Sequence, residues 1–304
     1  MNRFYAHMLL ALFIFFGLAG PTAANSNALL TITDPTGRTL QAPAHPQRIV
    51  ALAPSVTEIV YALGQEARLV GVTRYSNYPV AARKLPKVGS YIHLDVERIV
   101  ALQPDLCLAV KDGNPIAVVE QLESLGLSVY AVNPIDLERV MQSVQAIGGL
   151  LDASSKARAI TDDMRQRIAY VETRIAQTSV RPTVFFQIGI SPIVSVGSDT
   201  FIHTLIELAG GTNLAAGKAP YPRFSREQVI ALAPEVMVIS SMARAAVFEQ
   251  VKAEWMQWPA IPAVKRQAVF IAPPDMFDRP SPRLVDALEL LASLIHPQLF
   301  EARP

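Results

Sequence analysis

The sequence predicts an α/β protein of two lobes with largely parallel sheets, joined by a single long α-helix. Three observations carry this expectation. First, the chain repeats itself 130 positions apart: Glu97-Arg98-Ile99-Val100-Ala101-Leu102-Gln103-Pro104-Asp105-Leu106 returns as Glu227-Gln228-Val229-Ile230-Ala231-Leu232-Ala233-Pro234-Glu235-Val236. The match extends upstream, with Tyr91 and Asp95 corresponding to Tyr221 and Ser225. That spacing is too long for a solenoid unit and suits two similar lobes, whose intervening cleft is where small molecules usually bind. Second, short β-prone apolar runs alternate with helical segments, the pattern of parallel sheets covered by helices. Third, residues 154–178 contain no Gly or Pro and place Ile160, Met164, Ile168, Val171 and Ile175 on one stripe. Such a helix would run about 37 Å, enough to bridge two lobes; the alternative is a surface helix of the first lobe.

Taken in order, residues 1–24 read as an export signal, with Arg3, the apolar run Met8 to Leu18 and the small residues Thr22-Ala23-Ala24. The alternative is a membrane anchor, for which the run is short. Residues 25–153 are assigned to the first lobe, 154–178 to the bridging helix and 179–304 to the second lobe. Asp34-Pro35-Thr36-Gly37 marks a hairpin within 29–43. Arg48 to Leu52 reads as a buried strand. Ser55 and Glu58 have capping-box spacing for a helix that should end at Gly64. Strands are expected at 69–72, 105–110 and 128–132, with a helix at 115–125 closed by Gly126. Beyond the bridge, Thr183 to Ile188 and 236–240 read as strands, and 201–208, 227–232 and 282–294 as helices.

Composition narrows the function. Lys plus Arg total 27 against 26 Asp plus Glu, so there is no basic field for nucleic acid. Cys107 is the only cysteine, which rules out an intramolecular disulfide and leaves it as a packed core residue. No cysteine closes the leader for lipid attachment, so a free periplasmic protein is expected. There is no G-x-G-x-x-G after a strand, no P-loop, no G-x-S-x-G and no metalloprotease helix signature, and no carboxylate pair is singled out for acid–base work. A non-enzyme is expected, with no cofactor required. The histidines His45, His93, His203 and His296 lack ligand spacing.

The chain resembles the periplasmic substrate-binding proteins of ABC importers for metal chelates. The resemblance covers nearly all of the chain after the leader. Arg48-Ile49-Val50-Ala51-Leu52-Ala53-Pro54-Ser55-Val56-Thr57-Glu58 and the first repeat helix are shared across that superfamily. Tyr75-Ser76-Asn77-Tyr78-Pro79, Gln187-Ile188-Gly189-Ile190 and Asp275-Met276-Phe277-Asp278-Arg279-Pro280-Ser281-Pro282-Arg283 resemble its corrinoid-binding members. This implies a monomer that carries cobalamin or another corrinoid as cargo, with haem or a siderophore as the alternative. It implies an ABC permease dimer in the inner membrane as partner.

The resemblance places Tyr75, Tyr78 and Tyr91 on the first lobe's wall of the cleft, and Ile188, Tyr221 and Phe277 on the second. Aromatic walls suit a flat, amide-studded macrocycle. Asp275 and Arg279 would supply polar contacts, Arg being suited to phosphate; otherwise they are a turn residue and a surface charge. Glu97 and Glu227 would dock onto the permease, one from each lobe. Both also fall in a first helical turn behind the caps Asp95 and Ser225, where negative charge is favourable without any partner. His93 is a candidate iron or cobalt ligand, against the alternative of a solvated loop histidine. Tyr91, Val110, Tyr221 and Met276 stand where the resemblance leads one to expect tryptophan, so corrinoids other than cobalamin remain candidates.

Overall fold

The run Leu106-Cys107-Leu108-Ala109-Val110 is wholly buried because helices cover both faces of the sheet it crosses. Leu106, Leu108 and Val110 point into one core with Ile49, Val56, Val72 and Ile147, while Cys107 and Ala109 point into another with Val50, Leu122 and Val129. Side chains alternate across a strand, so a strand covered twice reads as a continuous apolar segment. Burial pushes the Cys107 thiol up to about 12, consistent with a packed, inert residue.

The computed structural model describes residues 28–217, 219–240 and 246–300; the proposed leader at 1–24 lies outside them. The first lobe carries the hairpin β1 (Leu29–Thr33) and β2 (Thr39–Pro43), then β3 (Ile49–Ala51), α1 (Pro54–Ala62), β4 (Leu69–Val72), α2 (Val96–Ala101), β5 (Leu106–Val110), α3 (Ile116–Ser124), β6 (Val129–Val132) and α4 (Leu137–Leu150). Its sheet has the order β4-β3-β5-β6 and is parallel throughout.

Helix α5 (Ser154–Ile175) follows. The second lobe holds β7 (Thr183–Gly189), β8 (Ile193–Ser195), α6 (Phe201–Leu208), β9 (Thr212–Asn213), β10 (Arg223–Phe224), α7 (Arg226–Leu232), β11 (Val236–Ile239), α8 (Ala246–Met256), α9 (Pro262–Lys265), β12 (Val269–Ile271), α10 (Pro274–Phe277), α11 (Leu284–Ile295) and α12 (Pro297–Phe300). Its sheet runs β10-β8-β7-β11-β12, with β9 beside β7. The β7, β9, β11 and β12 pairings are parallel, whereas β8 and β10 are antiparallel.

The repeat persists in the backbone. Asp95 accepts from the Arg98 N–H and Ser225 from the Gln228 N–H, so both copies begin with a side-chain cap, the second as a full capping box. Both end on a non-glycine residue in the left-handed region, Gln103 at φ 47° and Ala233 at φ 48°. Pro104 and Pro234 follow, so neither helix can continue.

Helix α5 touches both halves. Met164, Val171 and Ile175 share one core with Val140 and Met141 of α4 and with Phe186, Leu205 and Leu288 of the second lobe. Gly148 allows α4 to lie close to α5, since a Cβ there would press on the Ala157 methyl. The helix stops three residues before 178, where the Thr178 hydroxyl accepts the Val180 N–H and turns the chain. Helix α4 has no counterpart in the sequence-based expectation.

The capping box expected at Ser55 and Glu58 does not form. Helix α1 starts at Pro54 behind an Ala53 cap with no side-chain hydrogen bond, and Glu58 is used elsewhere. Its carboxylate crosses to the second lobe, where Oε1 accepts from Arg279 at 3.0 Å and Arg283 at 3.3 Å and Oε2 from the Ser281 hydroxyl at 2.6 Å. Arg279 also donates to Asn77 Oδ1 at 2.7 Å, to the Tyr75 carbonyl at 3.0 Å and to the Asp275 carboxylate. Asn77 closes the ring by donating to Asp275 at 2.9 Å. The Glu58 and Arg279 side chains are only 3% and 5% exposed. Burial raises the Glu58 carboxyl above its ordinary value, opposed by Ser281, Arg279 and Arg283.

Removing one partner of a buried pair strands the other. Arg279→Ala is therefore predicted to cost about 3–5 kcal/mol in denaturant unfolding, and Arg279→Lys to recover only part, since an ammonium cannot span Glu58, Asn77 and Asp275 together. A loss below about 1 kcal/mol, the range of an exposed pair, would show that the network does not hold the lobes.

Candidate functional site

In parallel α/β sheets the crevice lies beyond the carboxyl ends of the strands, and here both lobes present those ends to each other. A cavity of about 460 Å³ lies between them, within the usual range for a small-molecule site. The first lobe supplies Ala53, Pro54 and Ser55 after β3, Val110, Asp112 and Gly113 at the end of β5, Asn133 to Ile135 after β6, and the loop residues Tyr91 and Ile92. The second lobe supplies Ile188, Asp199 to Ile202 at the start of α6, Tyr221, and Asp278 to Pro280.

Local sequence explains how these side chains are held. Gly89, at φ +94°, lets the 89–95 loop close on itself, since a Cβ there would run into the His93 carbonyl. Buried Asn114 then ties that loop to the sheet: its Nδ2 donates to the Tyr91 and Leu52 carbonyls, and its Oδ1 accepts from Val110 N–H. Ile188 sits where the β7–β8 register slips between Gln187 and Gly189. Bulges of this kind re-aim side chains next to sites. Gln187 secures it, donating to the Gly189 carbonyl and accepting the Trp255 indole N–H at 2.8 Å.

Of the residues expected at the cleft, Tyr91, Ile188, Tyr221 and Arg279 line the cavity. Tyr91 and Tyr221, equivalent in the two repeats, line the same cavity from opposite lobes. The Tyr221 hydroxyl donates across the cleft to Asp112 at 2.7 Å. Burial first, and then that carboxylate, raise the Tyr221 phenol well above its ordinary value; burial likewise raises Tyr91.

The others differ. Tyr75 is not on the cavity wall but packs edge-on against Tyr91, ring centroids 6.0 Å apart. Tyr78 is exposed and lies under the Arg283 guanidinium, 3.7 Å from the ring centroid. Phe277 is a correction: it is fully buried, packed on Phe186 in the second lobe's core, and has no surface to offer a ligand. Asp275 joins the interlobe ion-pair ring rather than the cavity wall, and Arg279 serves both. His93 is exposed and outside the cavity lining, its N–H bonded to Ser90. Among the described residues no group of three or more His, Cys, Asp or Glu is arranged to hold a metal. Glu97 and Glu227 are exposed in the first turns of α2 and α7. Hydrogen bonding from Ser225 and from its own backbone lowers the Glu227 carboxyl.

Sequence reasoning missed Asp112 and Asp278. Asp278 was visible inside the Asp275–Arg283 segment, but nothing in its spacing distinguished it from Asp275. Burial pushes its carboxyl up to about 7, with Asp275 adding to the effect and the Ser240 hydroxyl and Arg279 opposing it. Between the ordinary value of 3.8 and about 7 the folded chain retains a proton that the unfolded chain has released. Its contribution to stability is thus present below pH 3.8 and lost as pH rises through about 7. Asp278→Asn is predicted to raise Tm by a few degrees at pH 8 and to change it little at pH 4; a pH-independent difference would contradict the assignment.

Comparison with known proteins agrees with this architecture. The periplasmic binding protein family matches residues 49–276. The vitamin B12-binding protein of Photorhabdus laumondii is 33% identical over 255 residues, covering 83% of this chain and 89% of that protein. The structure of the periplasmic vitamin B12 binding protein of Vibrio cholerae superposes with a TM-score of 0.74 at 29% identity, covering 84% of this chain and 99% of the other. A periplasmic heme binding protein from Pseudomonas aeruginosa superposes with a TM-score of 0.77, also at 29% identity, covering 85% and 95%. With two sheets facing across one cleft and three quarters of its length matched, the chain belongs to the periplasmic binding protein family.

Proposed function

We propose that this protein captures a corrinoid, cobalamin or a relative, between its lobes and hands it unchanged to an ABC permease dimer in the inner membrane. One observation carries the reading: Tyr91 and Tyr221, matched in the repeat, line one cleft from opposite lobes in a chain one-third identical to vitamin B12-binding proteins. A phenol ring on each lobe offers a flat macrocycle apolar contact from both walls. The corrinoid is cargo, and binding calls on no further cofactor. The periplasm is the expected compartment, reached through the leader at 1–24, and the carrier works as a monomer. The second reading is haem, favoured by the Pseudomonas aeruginosa neighbour and by the capacity of tyrosine to ligate haem iron.

Glu97 and Glu227 are the proposed docking residues. Equivalent exposed carboxylates, one on each lobe, suit a two-fold symmetric partner.

Calorimetric titration with cyanocobalamin, cobinamide and haemin tests the cargo: one-to-one binding of a corrinoid without a haemin response is expected, and haemin binding alone would transfer the protein to haem uptake. Replacing both Tyr91 and Tyr221 with Ala is predicted to weaken corrinoid binding about tenfold or more; unaltered affinity would place the ligand elsewhere. Replacing both Glu97 and Glu227 with Ala should impair uptake in cells while leaving affinity within about twofold, the scale of a surface change away from the site. Equal loss of affinity and uptake would argue against separate docking residues.

A further inference from the structure

The charged side chains that line the cavity are Asp112, Asp199, Asp278 and Arg279. Arg279 acts on Asp278 but offsets the three carboxylates only in part. Its charge is met by Glu58 and Asp275, and each terminal nitrogen already donates twice, leaving only Nε–H. The wall is therefore net acidic where cargo must sit. One of these acids also lacks a partner. Asp278 Oδ1 accepts from the Ser240 hydroxyl at 3.1 Å, whereas Oδ2 is shielded from water with no hydrogen-bond partner. An ionised carboxylate only accepts, and a buried acceptor left unsatisfied is costly. Oδ2 has no exposed surface in the cleft, so an N–H or O–H of a ligand would reach it only once the wall around it has opened.

Resting on the corrinoid reading of the cleft, we propose that Asp278, assisted by Asp112, reads the periphery of the cargo: it accepts N–H groups of uncharged amides and turns away peripheral carboxylates. A corrinoid carries primary amides around its ring and supplies such donors at neutral charge. Haem presents propionates, which offer no donor when ionised and meet like charge at Asp112, Asp199 and Asp278. Chelates of similar size and flatness are separated here by a repulsive element. Tyr221 contributes by holding Asp112 at the cleft mouth.

The test uses pairs of ligands that differ only in peripheral charge, titrated at pH 8 into the purified chain. Dicyanocobinamide carries amides where dicyanocobyrinic acid carries carboxylates. The amide form should bind at least about tenfold more tightly, and Asp278→Asn should narrow that ratio by about fivefold or more through tighter binding of the acid. Asp112→Asn, at an exposed position, should narrow it in the same direction. Equal affinities for the pair, or an unchanged ratio in both variants, would overturn the proposal. If neither corrin binds, the corrinoid reading fails, and the charge rule is judged on haemin against its diamide. Preference for the diamide would uphold the rule; equal or tighter binding of haemin would overturn it. Silence from all four ligands would overturn both.

Discussion

The structure depends on one buried ion pair. Glu58, on the first helix of the first lobe, and Arg279, in the loop before α11 of the second, meet at 3.0 Å with almost no exposure. Two charges are withdrawn from water at a cost that attraction alone rarely offsets. What makes the arrangement tenable is the completeness of the ring around them. Ser281 and Arg283 take further acceptor capacity of Glu58, while Asn77, Asp275 and the Tyr75 carbonyl take the N–H groups of Arg279. Such a network specifies geometry more than it adds stability. Here it sets one lobe against the other at the side of the cavity, and Arg279 lines the cavity while doing so.

Around that fixed point the cleft has a rigid part and a part able to give. Helix α5 packs on α4 and on the second lobe's core through Met164, Val171 and Ile175, which leaves little room for hinge motion. The Tyr221–Asp112 hydrogen bond is different. It is a single contact between exposed residues across the mouth. If the cargo is a corrinoid, whose ring and amide arms need more space than about 460 Å³, this bridge is the interlobe contact proposed to part while the ion-pair ring stays closed. On that proposal capture is a local opening, in keeping with the small motions of preformed sites.

Much of this was legible because the relevant signals are local. The repeat announced matching helices, and the caps at Asp95 and Ser225 follow from residue type and spacing alone. The tyrosines six residues before each repeat glutamate were equally visible. Signals failed where a side chain's partner lies far along the chain. Ser55 and Glu58 have the same spacing as Ser225 and Gln228, yet Glu58 is drawn to Arg279, 221 positions away, and the local cap is abandoned. Phe277 sits among residues facing the cleft, but a short helix turns it inward onto Phe186. Asp278 is set apart from Asp275 only by the burial of its second oxygen. Spacing along a chain does not encode that. Helix α4 had no counterpart in that reading; Gly148 near its end is needed for close approach to α5.

The most direct test of this account is a crystal structure of the chain with cyanocobalamin bound. The account predicts the corrin ring between Tyr91 and Tyr221, the Tyr221–Asp112 bridge parted, and the Glu58–Arg279 pair unchanged. A corrinoid seated outside the cleft, or one admitted by breaking the ion pair while Tyr221 still holds Asp112, would contradict it.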